Sequence, residues 1–343
     1  MTTNAALSVA VLGGGNWGTT LAQLCALASA DVRLWLRDEG VAREIREQHT
    51  NRRYTGDALL SAEIFPTTDL RRAMRGARLV LAVIPSMASR SVIRELGALV
   101  LGDQIFVHAT KGLELETGIT ISQIVREETA IKKLGVLSGP NIAPEILRGL
   151  PAATVVASHY PEVVEVAQRA LTSPRFRVYA NDDVIGVELG GALKNIVAIG
   201  SGIVSGLGLG ENTRGLLMTR GLAEIARFAV YYGARPLTLA GLAGMGDLVV
   251  TCSSQHSRNY RVGLGLAQKK PLAQILSELG MVAEGVRTTR IVHKLAQREG
   301  LDMPITEALF RVLEGELDVQ AALAWLMQLP ARSDIDADLI APR

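Results

Sequence analysis

Residues 8–18 read SVAVLGGGNWG. SVAVL (8–12) alternates β-branched and small residues and reads as a strand. Gly13, Gly15 and Gly18 follow it in the spacing G-x-G-x-x-G, and the next residues open a helix through Gln23 to Ser29. Each glycine has a task there. Gly13 allows a tight turn, Gly15 lets the backbone approach a pyrophosphate, and Gly18 lets the helix lie close to the strand. The helix start offers unpaired N–H groups and a partial positive charge to phosphates. Position directly after a strand, and at the mouth of a helix, separates this motif from an ordinary strand-to-helix turn.

Working outward, VRLWL (32–36) is a second strand and ends at Arg37-Asp38. Asp38 lies 20 positions past Gly18, the distance at which a carboxylate holds a ribose 2′-OH and favours NAD. Arg37 beside it suits a 2′-phosphate and leans the reading towards NADP. Both also fit as surface charges at a strand end. ARLVLAVI (77–84) and QIFVHAT (104–110) are continuous apolar runs, as strands covered on both faces require. LGVLS (134–138), ATVVA (153–157) and FRVYA (176–180) add three more, with helical patterns between, such as SRSVIRELGALV and the segment 121–129. Strand–helix alternation predicts an α/β fold, a Rossmann-type doubly wound and mostly parallel sheet.

After Asp182 the strands stop. Helices are predicted at 184–204, 213–233, 237–248, 258–268, 272–279, 285–299, 305–314 and 319–328, with breaks at Gly233, Pro236, Pro271, Gly300 and Pro304. The expected organisation is a dinucleotide-binding domain over 1–182, an all-α substrate domain over 183–330 and a polar tail over 331–343. No long linker joins the halves, which predicts a cleft between them.

The totals exclude several classes. The chain has 343 residues, 36 Lys+Arg against 34 Asp+Glu, and a formal charge of +2. This balance argues against a nucleic-acid partner, which would want a basic stripe. Cys25 and Cys252 lie far apart and form no CxxC pair, which suits a reducing cytosol. The five histidines show no metal-ligand spacing, so no metal is expected. The N-terminus lacks the basic start and continuous apolar run of a signal peptide. The apolar window 189–210 holds Lys194 and seven glycines, and reads as a packed internal helix rather than a membrane span. Fourteen of the 34 glycines crowd between Gly186 and Gly246, which implies close backbone approach in apolar surroundings.

Lysines are scarce, 7 against 29 arginines, so each in an apolar stretch raises a question. Lys194 is the sole charge between Glu188 and Glu211, in ELGGALKNIVAIGSG. A lysine so placed has a depressed pKa and is a natural proton donor or acceptor; the plain alternative is a snorkelling side chain. Asn195 adds an amide beside it. Lys111 closes a strand in HATKGLE, where doubly wound sheets bind ligands. Two lysines in one cleft would lower each other's pKa and form an anion site. SGPNIAPE (138–145) makes a further turn after a strand. Asp247, in GMGDLVVTC, can accept from a substrate hydroxyl or orient a lysine. Ser257, Arg258 and Asn259 place a hydroxyl, a guanidinium and an amide at a helix start, a set suited to phosphate. Glu284 opens another helix, where capping is the plain alternative.

Together GGGNWGTTLA, ATKGLE, SGPNIAPE, GVELGGALKNIVAIGSGI, TRGLAE, AGMGDLVVTC, SRNYRVG and VAEGVRTT resemble the bacterial type of NAD(P)-dependent glycerol-3-phosphate dehydrogenase. The likeness runs from about residue 8 to 328 in the family's order. It implies reversible reduction of dihydroxyacetone phosphate to sn-glycerol 3-phosphate with NADPH or NADH, feeding glycerophospholipid synthesis. It implies Lys194 as the catalytic lysine and Lys111 as a contact of both cofactor and substrate. Asn16, Trp17, Arg37, Ala143, Arg258, Val282 and Glu284 match cofactor positions, alongside Gly13, Gly15 and Gly18. Gly139, Asn141, Asp247, Ser257, Arg258 and Asn259 match substrate positions. The family usually carries Ser or Thr where this chain has Asn141, and often Ser where it has Asn16. A homodimer is the family's usual state. Two rivals share part of the pattern: a β-hydroxyacid dehydrogenase acting on a small carboxylate, and a non-catalytic NADP-binding sensor. The SRN segment speaks against the first, and retention of Lys194, Lys111 and Asp247 against the second.

Overall fold

The computed structural model describes residues 6–280, 283–330 and 333. Its strands are β1 (Ser8–Leu12), β2 (Asp31–Trp35), β3 (Ile64–Thr67), β4 (Leu79–Ala82), β5 (Ile105–His108), β6 (Leu134–Ser138), β7 (Ala152–Ala157) and β8 (Phe176–Asn181). Helices α1 (Asn16–Leu27), α2 (Glu39–Gln48), α3 (Arg52–Thr55), α4 (Leu70–Met74), α5 (Ser86–Gly97), α6 (Ile121–Glu128), α7 (Ala143–Leu147) and α8 (Pro161–Leu171) lie between them. The strands form one sheet in the order β3-β2-β1-β4-β5-β6-β7-β8. All neighbours run parallel except β6 and β7, which the short connection carrying α7 joins as an antiparallel pair. Every residue of β4 and β5 is buried, which is why both read as unbroken apolar runs. The α/β reading holds.

One strand was invisible to pattern reading. β3 is only IFPT, and Pro66 argues against a strand. It survives because it is an edge strand, paired only with β2 (Leu34 against Pro66), where a missing N–H costs nothing.

The chain leaves β1 for β2 and β3 on one side, then crosses to β4 on the other. This topological switch point puts the Gly13–Gly18 loop where open α/β sheets bind ligands. Gly13 sits at φ +124°, and a Cβ there would lie 2.4 Å from the Val83 carbonyl oxygen that follows β4. A Cβ on Gly18 would lie 1.8 Å from the Gly13 oxygen, so α1 is seated directly against the turn.

Among the described residues, backbone proximity divides the chain into two compact units. One comprises Met1–Thr110 with Ile121–Val184, the other Lys111–Thr120 with Ile185–Arg343. The segment 111–120 therefore joins the helical unit, not the sheet unit that surrounds it in sequence. In sequence it lies within the stretch 1–182.

The helical unit holds α9 (Val184–Gly206), α10 (Glu211–Tyr231), α11 (Pro236–Leu239), a π-turn (Leu242–Gly246), α12 (Asp247–Ser253), α13 (Arg258–Ala267), α14 (Leu272–Leu279), α15 (Glu284–Glu299), α16 (Pro304–Leu313) and α17 (Val319–Gln328). Its core is built on α9, with Leu193, Ile196, Val197 and Ile199 buried together with Phe228, Leu248, Val262 and Val292. By length and composition alone, Val184–Gly206 and Pro236–Ser253 could cross a membrane. The first is almost wholly buried in this core. Helices α9 and α13 meet backbone to backbone. A Cβ on Gly202 would lie 2.0 Å from the Tyr260 oxygen, and one on Gly263 2.0 Å from the Ile199 oxygen. Part of the glycine excess is this crossing. The helix expected over 237–248 is instead broken: α11 ends at Leu239, the π-turn widens the chain, and α12 starts afresh at Asp247. The tail over 331–343 falls outside the described residues apart from Ser333.

Candidate active site

The chemistry in the helical unit begins at Lys194, near the middle of α9. The π-turn delivers Asp247 as the first residue of α12, and Thr251 stands one turn later on the same face. Lys194 donates to Asp247 Oδ1 and, at 2.6 Å, to Thr251 Oγ1. Lys111 donates to the other carboxylate oxygen, Asp247 Oδ2, at 2.7 Å. One carboxylate therefore bridges two lysines. Side-chain exposure is 2% for Asp247, 6% for Lys194 and 22% for Lys111, so the bridge is sealed and Lys111 is its open end.

Burial pushes the Lys194 ammonium down to about 7; Asp247 opposes the shift and the like charge of Lys111 adds to it. Burial works to raise the Asp247 pKa, but the two lysines outweigh it and hold the carboxyl below its ordinary value. Cys252, beside this set, is pushed by burial up to about 12 and is an inert thiol.

Asn195 sends its amide to the Lys111 carbonyl oxygen at 3.3 Å. Asn259, from α13, donates to Asn195 Oδ1 at 2.8 Å and accepts from the Gly285 N–H at 2.9 Å. Ser257 is the N-cap of α13, its Oγ accepting from the Tyr260 N–H. Arg258, the first residue of α13, is exposed and makes no hydrogen bond among the described residues. Desolvation nevertheless lowers its pKa, while the Glu284 carboxylate works the other way. Glu284 opens α15.

The remaining predicted residues, Val282 apart, belong to the sheet unit. Gly15 is the N-cap of α1, offers no side chain, and a Cβ there would meet nothing within 4 Å. Asn16 Oδ1 and Trp17 Nε1 are buried without a partner among the described residues. An open glycine, an uncapped helix start and the orphaned Trp17 indole N–H fit a dinucleotide diphosphate, while the Asn16 Oδ1 acceptor suits a donor group such as a ribose hydroxyl. Asp38 is already engaged. Its Oδ1 caps α2 through the Gly40 and Val41 N–H groups, and its Oδ2 pairs with Arg53 at 3.2 Å. Arg37 is exposed and has no partner among the described residues. Gly139 (φ +146°) makes the turn after β6. Asn141 donates to the Ala153 oxygen at 3.0 Å and accepts from Thr154 Oγ1 at 2.9 Å, so its amide braces the β6–β7 turn. Ala143 opens α7. Val282 lies outside the described residues.

The structure thus gathers Lys111, Lys194 and Asp247 into one contact set and puts Asn259 in hydrogen-bonded continuity with it. Thr251 belongs to that set and was not singled out from sequence. Its signal was present: four residues after Asp247 on one helix. Among the described residues, no three His, Cys, Asp or Glu side chains gather to hold a metal.

A glycine turn at the switch point of a doubly wound sheet, with a buried, carboxylate-bound lysine in a helical unit, is the build of a dinucleotide-dependent dehydrogenase. The comparisons narrow the class. The N-terminal and C-terminal profiles of NAD-dependent glycerol-3-phosphate dehydrogenase match residues 8–164 and 183–324. A protein of Moorella thermoacetica named glycerol-3-phosphate dehydrogenase (NAD(P)+) is 47% identical over 330 residues, spanning 96% of this chain and 98% of the relative. Its namesake in Acinetobacter baumannii is 45% identical over 332 residues, spanning 96% and 92%. The crystal structure of glycerol-3-phosphate dehydrogenase from Coxiella burnetii matches with a TM-score of 0.91 at 37% identity, over 94% of this chain and 99% of that one. The chain belongs to the NAD-dependent glycerol-3-phosphate dehydrogenase family.

Proposed function

We propose that this chain catalyses the reversible reduction of dihydroxyacetone phosphate to sn-glycerol 3-phosphate, with NADPH or NADH as reductant. The observation that carries the mechanism is Lys194, buried and held between Asp247 and Thr251 with Lys111 on the opposite carboxylate oxygen. Neither the β-hydroxyacid dehydrogenase nor the sensor reading is supported by the family match.

Bound NAD(P)H supplies the hydride to the keto carbon. Lys194, as an ammonium, gives its proton to the carbonyl oxygen as that oxygen becomes an alkoxide; in reverse, neutral Lys194 takes the proton back. Its charge also stabilises the developing oxyanion. Asp247 and Thr251 fix the direction of the lysine's remaining N–H bonds. Lys111 keeps the carboxylate from quenching Lys194 and adds positive charge for an anionic substrate. Arg258, with no hydrogen-bond partner of its own among the described residues, supplies a guanidinium for the substrate phosphate, and the capping Ser257 a hydroxyl proton. Gly139 and Asn141 complete the substrate set, with Asn259. Gly13, Gly15, Asn16, Trp17, Gly18, Arg37, Lys111, Ala143, Arg258, Val282 and Glu284 hold the cofactor. With Asp38 engaged at α2 and Arg37 without a partner among the described residues, NADP is accommodated at least as well as NAD.

The two-domain division, at about residue 182 with a polar tail after 330, is part of this reading. So are a cytoplasmic location, a homodimer, the absence of a membrane span or nucleic-acid partner, and a role supplying glycerophospholipid synthesis. An absorbance assay at 340 nm with dihydroxyacetone phosphate, run with NADPH and NADH side by side, tests substrate and cofactor together. No oxidation of either cofactor at saturating substrate would overturn the proposal.

A further inference from the structure

Three hydrogen bonds run in series and in one direction through the helical unit. The Gly285 N–H, in the first turn of α15, donates to Asn259 Oδ1. Asn259 Nδ2 donates to Asn195 Oδ1. Asn195 Nδ2 donates to the backbone oxygen of Lys111. Both asparagines are buried, at 5% and 7% exposure, so a broken link would leave polar atoms without water. Successive amides aligned donor to acceptor polarise one another, which favours the intact chain over its parts.

The backbone around this relay is shaped to admit it. A Cβ on Gly285 would lie 2.6 Å from the Asn195 backbone oxygen and 2.8 Å from Asn259 Oδ1. Only glycine lets α15 come that close to α9 and α13. Ala283, the N-cap of α15, contributes no side-chain cap. Asn259 supplies that cap from another helix, and its carbonyl is thereby occupied. The far end of the relay is the first residue of 111–120, the stretch that leaves the sheet unit. That segment is pinned at three points. Asn195 holds the Lys111 oxygen, Asp247 holds the Lys111 ammonium, and buried Leu113 joins the helical core.

We propose that Asn195 and Asn259 are positioning residues, and that the amide relay from Gly285 sets the Lys111 backbone so that its ammonium meets Asp247. This rests on the reading of Lys111 and Lys194 given above. It adds to the part of Asn259 in the substrate set: one amide N–H acts through Asn195 Oδ1, and the second is left for the substrate. The charged groups that govern Lys194 are Asp247 and Lys111; Thr251 and Cys252 are its other polar neighbours. Loosening Lys111 removes a like charge from Lys194 and frees Asp247 to attract it more strongly. Both effects move Lys194 towards a higher pKa.

The test is a double-mutant cycle with Asn195→Ala, Asn259→Ala and the pair. It is read by kcat and KM for dihydroxyacetone phosphate across pH and by hydrogen–deuterium exchange of the cofactor-free protein. Each single variant should lower kcat/KM about tenfold, as expected for one buried hydrogen bond with a stranded partner. The double variant should lose no more than the worse single one. The pH midpoint for reduction should move up in all three, and peptides covering 111–120 should exchange faster while those over β1 and β2 do not. Multiplicative losses in the double variant, as two independent substrate contacts would give, overturn the relay. So does unchanged exchange over 111–120. If the alanine variants do not fold, Asn259→Ser carries the same exchange and pH measurements. Should wild-type protein fail to reduce dihydroxyacetone phosphate, the functional reading falls, and the exchange result alone decides the relay.

Discussion

A lysine with a pKa near neutrality makes the direction of catalysis a function of pH. Lys194 must be charged to protonate the alkoxide and neutral to accept from the alcohol. With its pKa pushed down to about 7, kcat/KM for ketone reduction should fall as pH rises above about 7, approaching tenfold per unit, while alcohol oxidation should rise over the same range. Initial rates in both directions between pH 6 and 9 check this, and parallel profiles would remove Lys194 from the proton step. Lys194→Ala should cut kcat by about 10²–10⁴-fold with NADPH affinity, followed by fluorescence titration, almost unchanged. Arg258 is solvent-facing and without a hydrogen-bond partner among the described residues. Arg258→Ala should raise KM for dihydroxyacetone phosphate about 10–100-fold, the worth of a lost charge-assisted contact. An unchanged KM would place the phosphate elsewhere. At the adenosine end, Arg37→Ala should weaken NADPH binding more than NADH binding, since only the former carries a 2′-phosphate. Equal effects would mean that Arg37 does not read it.

Among elements, α16 shows how far a helix cap can come from in sequence. Its own N-cap, Met303, offers no side-chain bond. Glu224 on α10 supplies the missing acceptors, taking the Ile305 N–H at 2.5 Å and the Thr306 N–H and hydroxyl at 3.1 Å. Burial nevertheless pushes this carboxyl up to about 7, with the three hydrogen bonds and Arg227 pulling it back. A carboxyl whose pKa is higher folded than unfolded binds more protons in the folded state between the two values. Stability from this group is therefore full below about 4.5 and is lost as pH rises to about 7, on the order of 3 kcal/mol in all. Urea unfolding at pH 5 and pH 8 should show that wild-type stability drops relative to Glu224→Gln over this interval. An equal response in both proteins would mean that Glu224 does not titrate there. The element level is also where sequence reading fell short. β3 hid behind Pro66, because a proline rule cannot tell an edge strand from an interior one. The break before Asp247 hid because a π-turn keeps an apolar helical pattern while shifting the register.

For the molecule as a whole, the two kinds of information in the sequence had different reach. Local patterns sufficed for most of the sheet's strands: the glycine spacing after β1 and the apolar runs of β4 and β5 mark them as buried strands, whereas strand order and the antiparallel β6–β7 pair leave no such mark. Isolation sufficed for Lys194, since a lone charge in an apolar helix must be paired or neutralised wherever the helix goes. The partner of such a charge is another matter. That Asp247 lies between Lys194 and Lys111, 53 and 136 residues away, is a property of tertiary packing with no periodic trace. The asparagine pair is the same case, legible only as two amides beside two interesting residues.

The segment 111–120 carries one more implication. It is contributed from within the first half of the chain, yet it brings Lys111 and Leu113 to the helical unit. No single cut can then separate the two units as complete modules. A fragment beginning at residue 185 would keep Lys194 and Asp247 but lose the lysine that shares their carboxylate. Recombination or domain grafting across position 184 would transplant an incomplete charge set. The reactive group and its balancing charge are inherited together only when the whole chain is.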